Sequence, residues 1–318
     1  KEKNENGRIF AFLPTEVVSG LPFLVNADFI LSSSRETIQI DRPWNLWLRD
    51  CVADVVVSGF LELIQHSEYC TLAYSFIPLI SDLTGDLNFF SPICETTIFR
   101  LSDQQVVLTE RGKLALPKDT RLPSPKIRVL FQDMDDRPQA LRNLHFVSKE
   151  ISKYAEQLKA IGVAVYSLPD LYNALSDRDW LQSRTIDWLI ELYFYLSQIK
   201  NLDTNALRKL PILPTQDRKQ GIKNVASSEA VIFFYSKEGD EALARQIAAD
   251  PEFSGTYLLS EEFFNRIVDN EVLILWLKKE LCIRNFSLST YLVESLIPDL
   301  KNRILKLRSE DILSLTKL

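Results

Sequence analysis

SGLPFLVNADFILSSSRETIQIDRPWNLWLRD, residues 19–50, is the stretch that decides how the first part of the chain folds. Residues 23–31 are apolar and rich in aromatic and β-branched side chains, which predicts a buried strand. The predicted strand runs into three serines and then Arg35 and Glu36. An arginine is therefore expected on a loop that begins at a rigid element, where functional side chains are often found. Surface arginines are also common at such places without any function.

A helix is predicted directly after this loop. Asp41 is a suitable N-cap, Pro43 fits the first helical turn, and the helical pattern continues to about residue 65. Trp44, Trp47 and the apolar residues that follow recur at spacings of three and four, which predicts one deeply buried side. The helix is expected to hold the Arg35 loop in place.

The elements on either side of this stretch predict an α+β region over residues 1–125. Residues 7–13 predict a short strand that pairs antiparallel with the strand at 23–31. Two helices are expected around residues 69–80 and 87–99, and a hairpin from residues 104–108 and 112–116. Residues 116–125 contain three prolines and are the predicted linker.

The second half, residues 126–318, predicts a mainly helical domain with a β-hairpin insert at 210–235. A last short strand is expected at residues 127–131. The following Asp133, Asp135 and Asp136 are interpreted either as a cation site or as a solvated turn. Helical spacing or cap signals occur at residues 148–158, 168–175, 185–198, 238–249, 260–267, 270–281 and 287–306.

Composition excludes several classes of function. The net charge is −6, with 37 basic and 43 acidic residues well mixed, so nucleic acid is not indicated as a partner. No apolar run reaches the roughly 18 residues of a membrane span. The four cysteines include no CxxC pair, which favours reduced core residues in a cytoplasmic protein and no metal site. The chain begins at Lys1 with a polar lead, and we expect it to be a fragment of a longer protein.

Motifs for a complete active site are absent from the sequence. There is no GxxxxGK[ST] and no GxGxxG after a predicted strand, and the chain has only nine glycines. His66 and His145 are not accompanied by a nucleophile motif of the hydrolase type. No cofactor site is therefore expected within the chain itself.

Three segments resemble a known family. RIFAFLPT (residues 8–15), LPFLVNADFILSSSRE (21–36) and PWNLWLRD (43–50) resemble the region that follows the ATP-binding domain in sacsin and the plant NO VEIN family. LKAIGV (158–163), WLIELYFYL (188–196) and LPILPT (210–215) resemble later parts of the same proteins at lower specificity. Relatives of these proteins carry an Hsp-ninety-like (GHKL) ATPase domain.

The order of Leu21, Pro22, Ser34, Arg35 and Glu36 also resembles the catalytic loop of the Hsp-ninety middle domain. In that domain an arginine reaches the γ-phosphate of ATP held by the preceding domain. The resemblance implies that Arg35 is catalytic and contacts the nucleotide, and that Ser34 and Glu36 position its loop. It also implies that ATP and Mg²⁺ are bound by a preceding domain of the same polypeptide, and that residues 126–318 bind a protein client or partner.

A second hypothesis belongs to another class of protein. The chain could be a noncatalytic protein–protein interaction scaffold in which Arg35 forms a structural ion pair with Glu36, Asp41 or Asp50. A further hypothesis is that the chain belongs to a bacterial defence or regulatory system, but no residue of the chain supports it. The position of the Arg35 side chain separates the catalytic and the structural readings.

Overall fold

The computed structural model describes residues 7–84, 87–132, 137–217, 221–234, 256–298, 300–301 and 304–305. The chain divides into two compact units: Lys1–Ser124 with Arg142–Tyr166, and Pro125–Leu141 with Ser167–Leu318. Each unit combines helices with small sheets. The predicted α+β class is therefore confirmed.

The first unit begins with a three-stranded sheet in the order β2-β1-β3. Its strands are β1 (Arg8–Ala11), β2 (Leu13–Val18) and β3 (Val25–Asn26). The prediction of a long strand at 23–31, antiparallel to the first, is wrong: β3 has two residues and is parallel to β1. The antiparallel partner of β1 is β2, which contains Pro14. β2 is an edge strand, and a proline is tolerated there because its missing N–H is not needed by a neighbouring strand.

Two helices, α1 (Pro43–Leu63) and α2 (Leu87–Ser102), pack against each other beside this sheet. The predicted helix after the Arg35 loop is confirmed, but its N-cap is Arg42 and not Asp41. The expected burial of the tryptophans is wrong, since Trp44 and Trp47 are 47% and 54% exposed. Their rings lie against each other near the start of the helix, with centroids 5.0 Å apart. The buried face of α1 carries Asn45, Ala53, Val57 and Phe60.

Tyr74 is a buried member of an apolar core cluster in this unit. It lies on a 3-10 helix, Leu72–Phe76, where a longer helix was predicted. Its ring is fully buried against Phe60, and its hydroxyl donates to the Val106 carbonyl at 2.6 Å and accepts from the Leu108 N–H at 2.9 Å. Burial raises the pKa of this phenol well above its ordinary value. The hydroxyl therefore stays protonated and joins this helix to the strand that contains Leu108.

The predicted hairpin is confirmed as β4 (Val107–Leu108) paired antiparallel with β5 (Leu114–Ala115). The predicted linker is wrong, because β6 (Thr120–Leu122) lies in the middle of a parallel sheet. Thr120 is fully buried there, and its hydroxyl donates to the Pro117 carbonyl at 2.8 Å. The flanking strands are β7 (His145–Phe146) and β8 (Ala164–Val165), and the segment between them contains the 3-10 helix Lys149–Tyr154 and α4 (Ala155–Ala160).

The second unit is mainly helical in its described residues. The strand predicted at 127–131 is instead α3 (Pro125–Leu130), because Pro125 fits the first turn of a helix and has no N–H to give to a sheet. The other helices are α5 (Leu168–Leu175), α6 (Arg178–Gln182), α7 (Ile186–Ser197), α8 (Thr204–Arg208), α9 (Glu261–Ile267), α10 (Glu271–Leu281) and α11 (Leu288–Tyr291). The predicted helix at 238–249 and Asp133, Asp135 and Asp136 lie outside the described residues.

The predicted β insert is present as an antiparallel hairpin of β9 (Leu213–Asp217) and β10 (Gly221–Val225). A separate parallel sheet places β11 (Val231–Phe234) between β12 (Thr256–Leu258) and β13 (Arg284–Asn285). Within the part of the chain that is described, no helix has both the length and the apolar composition needed to cross a bilayer.

The four cysteines are free, but they are not all core residues. Cys94 is fully buried on α2, and Cys51 and Cys70 are half-buried. Cys282 is exposed at the end of α10, where its backbone is left-handed with φ +59°. The prediction of core cysteines is therefore wrong for Cys282.

Cys94 and Cys282 are expected to differ sharply in reactivity. Desolvation by burial, aided by the nearby Glu95 and Asp82, raises the pKa of the Cys94 thiol to about 12. Because the thiolate is the nucleophile, iodoacetamide at about pH 8 is expected to modify Cys282 and spare Cys94 in the folded protein. Peptide mass mapping of the alkylated sites measures this. Cys282→Ser is the control, and alkylation of Cys94 as fast as that of Cys282 would contradict the burial.

Candidate functional site

An open cleft of about 660 Å³ in the first unit contains all three predicted site residues. It lies between the β1–β2 turn and the loop that carries Arg35. Its apolar lining consists of Ala11, Phe12, Leu13, Pro14, Phe29 and Leu31, and its polar lining consists of Glu16, Ser32, Ser34, Arg35 and Glu36. The cleft therefore combines an apolar wall with one cationic and two anionic side chains.

Arg35 lies in a tight hairpin loop closed by an antiparallel bridge between Leu31 and Ile38. Within the loop, the Ser32 N–H donates to the Thr37 carbonyl at 2.8 Å and the Arg35 N–H donates to the Ser32 carbonyl at 2.9 Å. Arg35 has a φ of +61°. This left-handed conformation costs a non-glycine residue roughly 1–2 kcal/mol. The surrounding hydrogen bonds hold the backbone in a conformation that the residue itself does not favour.

The other two predicted residues lie in the same loop. The Ser34 hydroxyl is 3.0 Å from the Ser32 hydroxyl and accepts a 3.4 Å hydrogen bond from the Glu36 N–H. The Glu36 carbonyl accepts from the Glu16 N–H of β2 at 3.1 Å, which ties the loop to the sheet. Ser34 therefore contributes to the turn, while Glu36 contributes through its backbone and leaves its carboxylate exposed.

The Arg35 side chain is exposed and, among the residues that the structure describes, it has no ion pair. Asp50, one of the partners considered for it, is bound instead to Arg49 at 2.6 Å. Glu36 and Asp41 do not reach its guanidinium either. The structural ion pair that the scaffold hypothesis requires is therefore not found in the described part of the chain.

Asn45 is the residue that sequence reasoning missed. It is fully buried on α1, and its side chain amide makes three hydrogen bonds of 2.8 Å to the two ends of the Arg35 loop. Its Oδ1 accepts from the Ile30 N–H, and its Nδ2 donates to the carbonyls of Ile30 and Gln39. A polar residue in register with Ala53, Val57 and Phe60 on an apolar helix face was the available signal, because a buried amide needs partners.

Gln39 strengthens the base of the loop. Its N–H donates to the Ile30 carbonyl at 3.0 Å, and its side chain donates to the Leu31 carbonyl at 2.8 Å. Arg42 in turn donates to the Gln39 side chain at 2.7 Å. The loop is thus mounted on the N-terminal end of α1 by a connected set of hydrogen bonds, and Arg35 projects from its far end.

A second cavity of about 540 Å³ shares Glu16 with this cleft but is otherwise lined by uncharged residues, among them Val17, Ile38, Phe89 and Phe90. It offers no cation to a phosphate. No group of three or more histidine, cysteine, aspartate or glutamate residues within the described ranges is placed to hold a metal ion. The Arg35 cleft is therefore the better candidate site.

The chemistry available in the Arg35 cleft is that of a cation that donates hydrogen bonds to an anion, and not that of a complete active site. A guanidinium presents up to five N–H donors in a planar fork and stays charged at any physiological pH. The hydroxyls of Ser32 and Ser34 are hydrogen-bonded to each other, and no histidine is among the residues that line the cleft. The cleft can therefore stabilise a negatively charged group that another part of the protein brings to it.

Comparison with known proteins shows that this α+β chain is similar in sequence to a plant protein of the NO VEIN type. One relative is Protein NO VEIN of Arabidopsis thaliana, which is 31% identical over 238 residues. The match covers 66% of this chain and 8% of that protein, so the chain corresponds to a small part of its relative. No family model and no solved structure matches the chain. The resemblance to NO VEIN proteins is confirmed at this level.

Proposed function

We propose that this chain is the part of a sacsin-like GHKL ATPase that follows the ATP-binding domain, and that Arg35 acts on ATP held by that domain. The observation that carries the proposal is an exposed arginine without an ion pair among the described residues, on a loop fixed at both ends by Asn45. An arginine held in this way and left free at its tip is suited to a ligand that arrives from outside the unit.

The proposed role of Arg35 is electrostatic. Negative charge on the phosphate oxygens shifts during phosphoryl transfer, and a guanidinium can stabilise it with two parallel, charge-assisted hydrogen bonds. Arginines that act in this way raise phosphoryl-transfer rates by about 10³–10⁵. Mg²⁺ would be held with the nucleotide by the preceding domain. This chain would contribute the cation, and Ser34 and Glu36 would keep its loop in shape.

Because donor and nucleotide would lie on different domains, hydrolysis would require the domains to close on each other. We propose that the mainly helical residues 126–318 transmit this closure to a protein client or partner. A cytoplasmic location is part of the proposal, and it is supported by four free cysteines.

The test compares the ATP-binding domain alone with the same domain joined to this chain. The joined polypeptide is expected to turn over ATP at least about tenfold faster, because only it contains Arg35. Steady-state release of inorganic phosphate measures the rate. Equal rates in the two preparations, or a native polypeptide without any ATP-binding domain, would contradict the proposal.

A further inference from the structure

Phe12 lies at the apex of the β1–β2 turn and lines the same cleft as Arg35. Ala11 and Leu13 face each other in the hairpin, so Phe12 alone forms the turn. Its φ is +67°, and its N–H donates to the Asn26 side chain at 3.3 Å. The residue is 88% exposed, and the neighbouring Leu13 is also exposed.

The folding of the unit does not account for a phenylalanine at this place. A positive φ favours glycine and is unusual for a bulky residue. The ring packs on little of its own unit, so it gains almost nothing from burial. A glycine or asparagine would suit the turn better, so the fold itself gives no reason for the aromatic ring.

We infer that Phe12 is the apolar anchor through which the proposed ATP-binding domain docks on the Arg35 cleft. This inference rests on the proposed function. Phe12 lies in the same cleft in which the nucleotide would meet Arg35, since Phe12 and Arg35 both line it. Aromatic and arginine side chains are the residues that most often dominate the energetics of an interface.

The charges of the cleft indicate which kind of surface fits it. Glu16 and Glu36 flank the cleft together with Arg35, so its charged lining is net negative. Such a lining disfavours the entry of a free polyanionic nucleotide. It fits a protein surface that offers an apolar recess to Phe12 and basic side chains to the two glutamates, while the γ-phosphate approaches Arg35. Exclusion of water by the ring would strengthen the interaction between Arg35 and the phosphate.

The inference is tested by hydrogen exchange on the joined polypeptide, with an ATP analogue whose β–γ bridge cannot be hydrolysed. In the wild type, the analogue is expected to protect the amides of residues 11–13 and 31–36. Phe12→Gly is expected to lower this protection, and ATP turnover with it, by about tenfold or more, because a buried anchor is lost. The thermal midpoint should be unchanged or higher, since glycine suits the positive φ. Phe12→Tyr should keep most of both signals.

Phe99→Ala is the matched control, because Phe99 is 73% exposed on α2 and does not line the cleft. It should leave protection and turnover unchanged. If Phe12→Gly retains wild-type amide protection and wild-type ATP turnover while Arg35→Ala loses turnover, the docking role of Phe12 is overturned and the proposed function stands. If Arg35→Ala keeps full turnover, the proposed function fails, whatever Phe12→Gly does.

Discussion

Arg35→Ala is expected to lower ATP turnover by about tenfold or more and to change the affinity for ATP by less than about threefold. The nucleotide would be bound by another domain, so removing one donor should affect the transition state more than the ground state. The loop should stay folded, because its hydrogen bonds involve the backbone of Arg35 and not its side chain. Steady-state phosphate release and nucleotide titration of the joined polypeptide measure the two quantities.

Arg35→Lys separates charge from geometry. Lysine keeps the positive charge but cannot form the planar, two-pronged contact, so its turnover is expected to lie between those of the wild type and Arg35→Ala. Arg142→Ala is the control, since Arg142 is an exposed arginine of the same unit that does not line the cleft. A similar loss in Arg35→Ala and Arg142→Ala would show that the effect is a general one of charge.

Asn45→Ala is expected to lower the free energy of unfolding by about 2–3 kcal/mol. The substitution leaves the Ile30 N–H and the Gln39 carbonyl without the partners that Asn45 supplies. Asn45→Asp keeps the shape and the acceptor but loses both amide donors, so it should be destabilising as well. Denaturant unfolding measures both variants. Asn173→Ala, at an exposed helical position, is the control and should change stability by less than about 0.5 kcal/mol.

The same variant tests whether the mounting of Arg35 matters. If the loop must be rigid, Asn45→Ala should lose ATP turnover at temperatures where the protein remains folded, with faster amide exchange in residues 31–38. Normal turnover together with lower stability would mean that Asn45 supports the fold but does not position Arg35.

Local signals in the sequence predicted much of the fold. α1 and α2 were predicted from apolar residues at helical spacing, and α7, α9 and α10 from Thr185, Ser260 and Asn270, whose side chains accept the expected capping hydrogen bonds. The β4–β5 hairpin and the β insert were predicted from apolar runs separated by polar turns. These features depend on residues close together in the sequence.

Two of the errors concern contacts between distant residues. The apolar run at 23–31 becomes only a two-residue strand because the chain turns after Asn26, where the Phe29 N–H donates to the Ala27 carbonyl and Trp44 donates to the Asp28 carbonyl. The proline-rich segment was taken for a linker because the pairing of β6 with β7 and β8 is not local. The placement of Arg35, Ser34 and Glu36 around one cleft followed from their adjacency, whereas Phe12 joined them only through folding.

A single-turnover experiment isolates the step in which Arg35 is proposed to act. ATP is bound first to the joined polypeptide, and the release of the γ-phosphate is then followed with protein in excess, so that neither nucleotide binding nor product release limits the rate. Arg35→Ala is expected to slow this step by at least about tenfold relative to wild type and to Arg142→Ala. An unchanged single-turnover rate in Arg35→Ala would contradict the account.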